Sequence, residues 1–473
     1  MVILIVCDGL RPDMITRGHT PFLHQMSMQG VVCGASHAVF PTATRINSAS
    51  LATGSYPWRH GIVDNELYIP AIDDSKAATC ADWRVLQTMA DIEHGPVLHA
   101  QTLGEVLRNA GKQMVSGGSG SPGTTYLTNP TATGPVVNWA TAWPHKVREE
   151  IESRYGSFSD SDATSMQRSD FVMEVMQDYL IPKYNPDLLT VWLTEPDHTQ
   201  HYHGLGSPEN LATLSELDGQ IERFLVALEG VGGGDRHTCF LLSDHGFNTI
   251  SEQIDVAAAL VSAGLKEALD SDDVIRASNS LYVAERVQDC LGDIIHFLQE
   301  QPWIGAVFVR DDLLEVCRGV MAQSAVYGFH RRSAEIMFAY RWRPQDNDYG
   351  LPGCAISDAL LAATHGSTSP YDISNCLVAW GERVKTGVVS SVPCGIVDVA
   401  PTVLALLGIG PPATMEGRVL TEIFEDGPSP DSFSVSHETQ ACVCQGPTVT
   451  RRQVASYSVV CGYRYLNQVE LVP

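Results

Sequence analysis

The 473-residue chain is poor in positive charge and lacks any long apolar run. Lysine and arginine number 30 against 55 acidic residues, which gives a formal net charge of −25. This balance argues against a nucleic-acid polymer as partner, because such binding depends on basic side chains that neutralise phosphates. A small phosphate can still bind an acidic protein if metal ions supply the local positive charge. No stretch reaches the roughly 18 apolar residues of a membrane-spanning helix, so we expect no membrane segment.

The sequence also lacks the pattern of a secretory leader and of a disulfide framework. The first residues contain no basic region and no small-residue cleavage site, so we expect no signal peptide. The twelve cysteines show no pairing rhythm, and Cys7, Cys239 and Cys376 lie inside apolar runs. Buried, reduced thiols are typical of a reducing compartment, which predicts a cytoplasmic protein. The close pair Cys442 and Cys444 is interpreted as structural, because a C-x-C alone is a weak metal or redox signal.

Candidate metal ligands follow three apolar runs, residues 2–7, 188–193 and 239–242. Such runs are typical of buried parallel strands, and open α/β sheets bind ligands at the carboxyl ends of their strands. A fourth segment, 364–366, adds a histidine between threonine and glycine. Three aspartates and three histidines suit two divalent ions, with zinc favoured and manganese allowed. The candidate ligands are Asp8, Asp197, His201, Asp244, His245 and His365.

The spacing of these ligands leaves part of the local geometry open. Asp197 and His201 would share a face of a helix, whereas Pro196 indicates a loop at a strand end. Asp244 and His245 are adjacent, so both can face one ion only if the chain bends out of the strand. Gly246 would permit that bend.

Thr44 is the candidate nucleophile. Residues 46–53 are predicted to form a helix that ends at Gly54, which places Thr44 near a helix N-terminus that favours anions. The alternative is an ordinary N-cap threonine. A threonine hydroxyl is a weak nucleophile at neutral pH, but a metal ion can activate it, as zinc lowers the pKa of bound water from about 15.7 to about 7.

The chain is longer than the roughly 250–300 residues of one hydrophobic core, so we predict a large α/β domain that carries an insertion. Residues 1–250 and 351–425 are assigned to this core and residues 251–350 to an inserted lobe. Within the second part of the core, residues 355–363 and 398–407 are predicted helices. Residues 426–473 form a β extension with a hairpin around 449–460. Two roles for this tail stay open, covering a sheet edge or contacting a second copy in a homodimer.

Several segments together resemble the alkaline phosphatase superfamily. They are most similar to its type I phosphodiesterase/nucleotide pyrophosphatase branch, which includes phosphonoacetate hydrolases. The matching segments are Asp8-Gly9, 40–44, 53–57, 60–65, 195–197, 243–246, 364–366, 397–402 and 406–408.

The resemblance implies a fold and an assignment of the site residues. The fold is a central, mostly parallel sheet with helices on both faces and a smaller α+β cap inserted between His245 and His365. Thr44 would attack phosphorus in line to form a phosphothreonine intermediate that is then hydrolysed, and Asn65 would donate to a phosphoryl oxygen. One ion would be held by Asp197, His201 and His365, and the other by Asp8, Asp244 and His245.

Three departures from the branch bear on the substrate. Arg45 stands where nucleotide pyrophosphatases carry phenylalanine, and it either recognises extra negative charge or points to solvent. Trp192 stands where nucleotide-cleaving relatives carry tyrosine, and it either stacks on a base or belongs to the sheet core. The paired lysines of phosphonoacetate hydrolases are absent from residues 117–125.

The sequence therefore predicts a two-metal hydrolase that cleaves a phosphodiester or pyrophosphate bond in a nucleotide-like small molecule. The alternative on the same scaffold is a phosphomonoesterase or phosphonate hydrolase, which Arg45 would favour. A non-enzymatic metal-stabilised protein is the third hypothesis, and the complete ligand set with an intact nucleophile argues against it. A sulfatase is disfavoured, because Thr44 replaces the cysteine or serine that could become formylglycine.

Overall fold

The computed structural model describes residues 1–158, 162–229, 237–317, 319–445 and 450–472. Its centre is a nine-stranded sheet in which the strand Val2–Cys7 runs parallel to both of its neighbours. In spatial order the strands are Val388–Ser390, Val31–Cys33, Leu377–Gly381, Thr238–Leu242, Val2–Cys7, Leu188–Leu193, Met114–Gly118, Val136–Asn138 and Thr141–Trp143. Leu377–Gly381 is antiparallel to the strands on its two sides, and Thr141–Trp143 is antiparallel to Val136–Asn138. The predicted mostly parallel sheet is confirmed.

Side chains of the central strand alternate between two hydrophobic clusters, one on each face of the sheet. Ile3 and Ile5 belong to one cluster, and Leu4 and Val6 to the other. Each such side chain contributes roughly 1.5–3 kcal/mol by leaving water. A strand that is apolar at every position requires cover on both faces, and the packed helices provide it.

Helices lie on both faces of the sheet, as predicted. Ser165–Val175 and Pro208–Glu229 supply apolar residues to the first cluster, and Leu103–Asn109 and Val399–Leu406 supply them to the second. None of the described helices is long and apolar enough to cross a membrane. The remaining α-helices in the described ranges are Pro21–Gln29, Thr44–Thr53, Pro57–His60, Trp83–Glu93, Pro122–Thr128, His145–Tyr155, Ile181–Tyr184, Asp197–His203, Val256–Ser262, Leu291–Glu300 and Pro370–Ile373.

The segment predicted as an inserted lobe contains a five-stranded sheet of its own. In spatial order its strands are Val274–Ala277, Ser280–Val283, Ile336–Tyr340, Ile304–Val309 and Met321–Ala322. A four-stranded sheet lies where the lobe and the central domain join, with strands Trp342–Asp346, Pro352–Ser357, Asn248–Gln253 and Ala363–Thr364 in spatial order. Two-stranded sheets pair Ser36–His37 with Cys394–Gly395 and Glu66–Leu67 with Ala78–Thr79.

The C-terminal tail forms a three-stranded antiparallel sheet of Val435–Gln445, Thr450–Val460 and Tyr463–Val472. It contains one strand more than the predicted hairpin, whose residue 449 lies outside the described residues. Gln453 joins this sheet to the lobe, because its side chain accepts from Val307 N at 2.8 Å and donates to Val307 O at 3.0 Å. The homodimer contact stays a prediction.

All twelve cysteines are free thiols, and the cytoplasmic location likewise stays a prediction.

The helix predicted over residues 355–363 is wrong. Pro352–Ser357 is a strand that pairs with Asn248–Gln253 on one side and Trp342–Asp346 on the other, and only the short strand Ala363–Thr364 follows. The alanines and leucines of this segment favour a helix by propensity alone. Tertiary pairing overrides that preference, since a strand here buries Ala355 and Ile356 between two neighbours.

Gly246 is required by a close approach of two backbone segments rather than by an unusual turn. Its φ lies outside the left-handed region. A β-carbon at this position would lie 2.0 Å from Tyr371 O and 2.8 Å from Ser374 O. The amide of Gly246 donates to Asp372 O at 2.7 Å, so the chain after His245 is pressed against the segment 371–374.

Gly246→Ala is therefore expected to destabilise the protein by about 1–3 kcal/mol, because the added methyl group has no space. Urea unfolding of the full chain measures this change. Gly292→Ala is the control with the opposite sign: a β-carbon at Gly292 meets nothing within 4 Å, and the residue lies in the helix Leu291–Glu300. The free energy of unfolding of Gly292→Ala should be at least that of the wild type, because glycine loses more conformational freedom on folding than alanine. Equal stability of the two variants would contradict the close approach.

Candidate metal centre and active site

The candidate ligands converge because three parallel strands end at the same level. Val6 is in register with Trp192 on one side and with Leu242 on the other. Asp8 directly follows its strand, and Asp197 begins the helix Asp197–His203 after the neighbouring strand. The helical alternative for Asp197 and His201 is therefore the observed one, and both side chains lie on one face of that helix.

The ligand atoms form two adjoining groups. In the first, Asp8, Asp244 and His245, the ligand atoms lie within 4.8 Å of one another, and His245 Nε2 is 3.4 Å from Asp8 Oδ1 and 3.2 Å from Asp244 Oδ2. This is one of the two predicted ligand sets.

The second group brings together Asp197, His245 and His365 within the same 4.8 Å limit. His201, the third ligand predicted for this ion, lies close as well, because its Nε2 is 3.3 Å from Asp197 Oδ1. His365 Nε2 is 3.4 Å from the same oxygen. The rings of His245 and His365 stack with centroids 3.7 Å apart, so the two groups share a boundary.

Each of the three imidazoles is oriented by a backbone carbonyl that faces its Nδ1. The partners are Ala363 O at 2.9 Å for His201, Gly246 O at 2.9 Å for His245 and Thr42 O at 2.8 Å for His365. A carbonyl can only accept, so Nδ1 carries a proton, and in the neutral imidazole that binds a metal ion Nε2 keeps its lone pair. Outer hydrogen bonds of this kind fix the tautomer of metal-ligating histidines.

Three buried carboxylate oxygens have no hydrogen-bond partner in the described part of the chain, namely Asp8 Oδ1, Asp197 Oδ1 and Asp244 Oδ2. The second oxygen of Asp8 accepts from Trp192 Nε1 at 3.0 Å, and that of Asp244 accepts from Gly9 N at 3.1 Å. Asp8 and Asp244 are thus each anchored by one oxygen and have the other oxygen free to coordinate, while Asp197 Oδ1 lies 3.3 Å from His201 Nε2 and 3.4 Å from His365 Nε2. Buried polar atoms are normally hydrogen-bonded, so these three oxygens fit cation ligands.

The electrostatics of the aspartates agree with this fit. Burial raises the pKa of Asp8 well above its ordinary value, and the nearby Asp244 and Asp197 carboxylates raise it further. Burial likewise raises the pKa of Asp244 to about 7, with a contribution from Asp197. Burial also acts on Asp197, but the imidazoles of His201 and His365 hold its pKa well below the ordinary value. Buried like charges are costly unless cations compensate them, and the donor set of carboxylates and neutral imidazoles suits divalent ions.

Thr44 lies beside this cluster with its side chain 5% exposed. It is the first residue of the helix Thr44–Thr53, and Ala43 occupies the N-cap position. The N-cap alternative for Thr44 is therefore wrong. Its Oγ1 lies 3.4 Å from His245 Nε2, the nitrogen that would face a metal ion. Helix N-termini favour anions, so the hydroxyl is placed where a phosphoryl group can approach.

Asn65 and Arg45 are joined by a hydrogen bond next to Thr44. Asn65 Oδ1 accepts from Arg45 N at 3.1 Å, which leaves the Nδ2 amide as the group that can donate to a ligand. The half-buried Arg45 side chain donates from Nη2 to Ser121 Oγ at 3.2 Å, while its Nε is buried without a partner among the described residues. No ion pair compensates this guanidinium within the described ranges. An unpaired, partly buried cation beside the nucleophile is suited to an anionic ligand.

Trp192 belongs to the sheet core and does not offer a stacking face. Its side chain is 0% exposed, and its Nε1 donates to Asp8 Oδ2. The base-stacking alternative is therefore wrong and the sheet-core alternative is the observed one, while the indole orients the candidate ligand Asp8. Sequence reasoning missed this contact, because a strand-interior tryptophan carries no signal for a bond to the neighbouring strand end.

Thr42 is a second residue whose role the sequence did not reveal. Its carbonyl accepts from His365 Nδ1, and its Oγ1 accepts from Gly366 N at 3.1 Å and donates to Ser367 O at 2.8 Å. The segment before Thr44 thus fixes the loop that carries the candidate ligand His365, more than 300 positions later in the chain. The signal in the sequence that could have identified Thr42 is its position in the segment 40–44, one of the segments that carry the family resemblance.

Replacing Trp192 by phenylalanine keeps most of the core volume but removes the donor to Asp8. We expect the affinity for zinc to weaken about 10–100-fold, the usual effect of losing an outer-shell partner. Competition with a chelator measures it. Trp380→Phe, another buried tryptophan of the same sheet, is the matched control and should leave the affinity unchanged. Equal affinities of both variants and the wild type would contradict the role assigned to Trp192.

Comparisons with curated proteins give two groups of relatives. Venom phosphodiesterase 2 of Crotalus adamanteus is 26% identical over 262 residues, which cover 53% of this chain and 27% of that protein. Ectonucleotide pyrophosphatase/phosphodiesterase family member 1 of Rattus norvegicus is 24% identical over 247 residues, which cover 52% and 24%. The match thus spans about a quarter of the length of these relatives.

Solved structures share the fold over most of the chain. Wild-type alkaline phosphatase PafA matches with a TM-score of 0.66 at 22% identity and covers 89% of this chain and 98% of its own. Murine ectonucleotide pyrophosphatase/phosphodiesterase 5 matches with a TM-score of 0.60 at 18% identity and covers 87% and 96%. The family model for type I phosphodiesterase/nucleotide pyrophosphatase matches residues 2–315, about two thirds of the chain. This chain therefore belongs to the type I phosphodiesterase/nucleotide pyrophosphatase family.

Proposed function

We propose that this protein is a two-metal hydrolase that cleaves a phosphodiester or pyrophosphate bond in a nucleotide-like small molecule, with Thr44 as the nucleophile. The observation that carries the proposal is the Thr44 hydroxyl 3.4 Å from the free nitrogen of His245, beside three carboxylate oxygens without hydrogen-bond partners. The nucleotide-like substrate class is supported by a structural relative, since an inactive variant of murine ectonucleotide pyrophosphatase/phosphodiesterase 5 was solved in complex with AMP.

Two ligand sets are available for the cations. Asp197, His201 and His365 would hold one ion, and Asp8, Asp244 and His245 would hold the other. Bound divalent ions, with zinc favoured by the mixed Asp and His donors, would offset the charge of the aspartates and stabilise charge on the reacting oxygens.

The chain's own groups account for the reaction steps. Thr44 Oγ1 gives its proton to solvent and attacks phosphorus in line, and the leaving-group oxygen departs with the electron pair of the broken P–O bond and takes up a proton from solvent. Asn65 Nδ2 donates to a non-bridging oxygen, which orients the phosphoryl group and stabilises its charge. Water then attacks the phosphothreonine, releases the phosphoryl product and restores the hydroxyl.

A second candidate function, a phosphomonoesterase or phosphonate hydrolase, is favoured by one observation. The guanidinium of Arg45 adjoins the nucleophile and has no ion pair among the described residues. A terminal phosphoryl group carries one more negative charge than a diester, and a guanidinium can bind two of its oxygens.

Thr44→Ala is expected to lower kcat on bis-p-nitrophenyl phosphate by on the order of 10⁴-fold or more, because the group that forms the covalent intermediate is gone. The zinc content of the variant should stay that of the wild type, since no ligand is lost. Initial rates and elemental analysis of the zinc-loaded protein measure both quantities.

Thr53→Ala is the matched control for this substitution. Thr53 is buried at the other end of the same helix, and its Oγ1 bonds only to Ala49 O at 2.7 Å among the described residues. It should retain wild-type kcat. Unchanged turnover in Thr44→Ala would overturn the assignment of the nucleophile.

Substrate preference separates the two candidate functions. The wild type is expected to turn over bis-p-nitrophenyl phosphate faster than p-nitrophenyl phosphate under identical conditions. Arg45→Ala should lower the monoester rate more than the diester rate, because the monoester presents the extra charge. A wild type that prefers the monoester, with that preference lost in Arg45→Ala, would instead establish the second candidate.

A further inference from the structure

Asp64 is a buried carboxylate that directly precedes Asn65 in the chain. It is 1% exposed, and its Oδ1 accepts from Asn65 N at 2.7 Å. Its Oδ2 accepts from Ser280 Oγ at 2.8 Å and from Asn279 N at 3.2 Å. Burial raises the pKa of Asp64 to about 7 in spite of these hydrogen bonds. A buried carboxylate is costly, and all three of its donors lie on two segments that adjoin the active site.

Residues 277–280 form the turn of the lobe that connects the strands Val274–Ala277 and Ser280–Val283. The backbone of this turn is fastened to the central domain twice. Asn279 N donates to Asp64, and Ser278 N donates to Glu66 Oε2 at 3.2 Å. The two acidic residues that flank Asn65 in the sequence therefore hold the same turn.

The side chain of Asn279 reaches the other side of the site. Its Nδ2 donates to Gly366 O at 2.9 Å and to Phe338 O at 3.3 Å. Gly366 directly follows the candidate ligand His365. One turn of the lobe thus contacts both the residue before Asn65 and the residue after His365, which come from segments about 300 positions apart.

We propose that Asp64 and Asn279 are positioning residues that hold the Asn65 amide against the phosphoryl site by tying its segment, through one turn of the lobe, to the loop after His365. The lobe is then part of the active site. This inference rests on the proposed function, since it takes Asn65 as the donor to the phosphoryl oxygen.

The physical argument is that the Asn65 side chain has few restraints of its own. Its Oδ1 is held by Arg45 N, and its main-chain N–H is held by Asp64. A donor that stabilises developing charge contributes about 10²–10³-fold to kcat, and a displacement of about 1 Å can cost about 10²-fold. Loss of the Asp64 restraint should therefore lower kcat while substrate binding elsewhere is retained.

The test compares the zinc-loaded full-length variants Asp64→Asn, Asn279→Ala and Asn65→Ala on bis-p-nitrophenyl phosphate. Asp64→Asn keeps an oxygen that can accept from Asn65 N, but its NH2 group then faces the two donors of the lobe, Asn279 N and Ser280 Oγ, and cannot accept from them. We expect the kcat of Asp64→Asn to fall about tenfold or more, with its KM within about twofold of the wild-type value. The kcat of Asn65→Ala is expected to fall by about 10²–10³-fold. Asn279→Ala keeps its backbone bond to Asp64 and should show a smaller fall in kcat. The double variant of Asp64→Asn and Asn65→Ala should be no slower than Asn65→Ala alone, because Asp64 acts through Asn65.

Asp218→Asn is the matched control. Asp218 is also buried and accepts two backbone N–H groups, from Phe22 at 2.9 Å and Leu23 at 2.8 Å, but it lies under the helix Pro21–Gln29 away from Asn65. It should unfold at a lower temperature and keep wild-type kcat. A purely structural Asp64 would behave in the same way, and that result would overturn the proposal.

Two further outcomes separate the inference from the function on which it rests. If Asn65→Ala lowers kcat and Asp64→Asn lowers it further by the same factor in the double variant, the positioning role is overturned. The phosphodiesterase proposal stays intact in that case. Wild-type kcat in Asn65→Ala would overturn the contact of Asn65 with the phosphoryl group and the positioning role that depends on it, whereas the proposed function itself is decided by Thr44→Ala. Asn279 is half-buried, so Asn279→Ala is expected to fold. If Asp64→Asn does not fold, wild-type kcat in Asn279→Ala would overturn the proposal.

Discussion

Repulsion among three buried carboxylates is the constraint around which this structure is arranged. Asp8, Asp197 and Asp244 come from the ends of three adjacent strands, and burial makes their charges expensive. A fold tolerates such a group where cations replace the lost hydration. The register of the sheet imposes the proximity, because the three strands end at one level. The groups around the carboxylates therefore either anchor one oxygen of Asp8 and of Asp244 or direct the histidines toward the cluster.

Orientation is provided by groups that never touch a cation. Trp192 anchors Asp8, Gly9 N anchors Asp244, and three backbone carbonyls fix the histidine tautomers. Such restraint matters because catalytic and metal-binding groups must be held within a few tenths of an ångström. Most of it comes from main-chain atoms of the ligand-bearing loops, so the scaffold and the site are built from the same hydrogen bonds.

The features that were predictable from the sequence are local ones. Uniformly apolar runs that end in aspartate identified the central strands, and the ligand pairs within Asp197–His201 and Asp244–His245 followed from their spacing. His201 was predicted as the third ligand of the second group, and in the structure the ligand atoms of His245 also lie within 4.8 Å of those of Asp197 and His365. This was not predictable, because the stacking of His245 on His365 depends on the tertiary fold. The helix assigned to residues 355–363 failed for the same reason, since Ala355 and Ile356 pair with the strand Asn248–Gln253, which is distant in the sequence. No local pattern reports that Trp192 bonds to Asp8 or that Asn279 reaches Gly366.

The insertion point of the lobe has a thermodynamic consequence. The segment between His245 and His365 contains the lobe, and the rings of these two residues stack on each other. An ion held by His201 and His365, as in the proposed ligand set, would close a loop of about 160 residues that contains the lobe, in the manner of a covalent cross-link. Closing a long loop removes conformational entropy mainly from the open, less ordered states. The ions would thus set the integrity of the lobe as well as the chemistry, and chelation would loosen the lobe from the central domain before the sheet itself gives way.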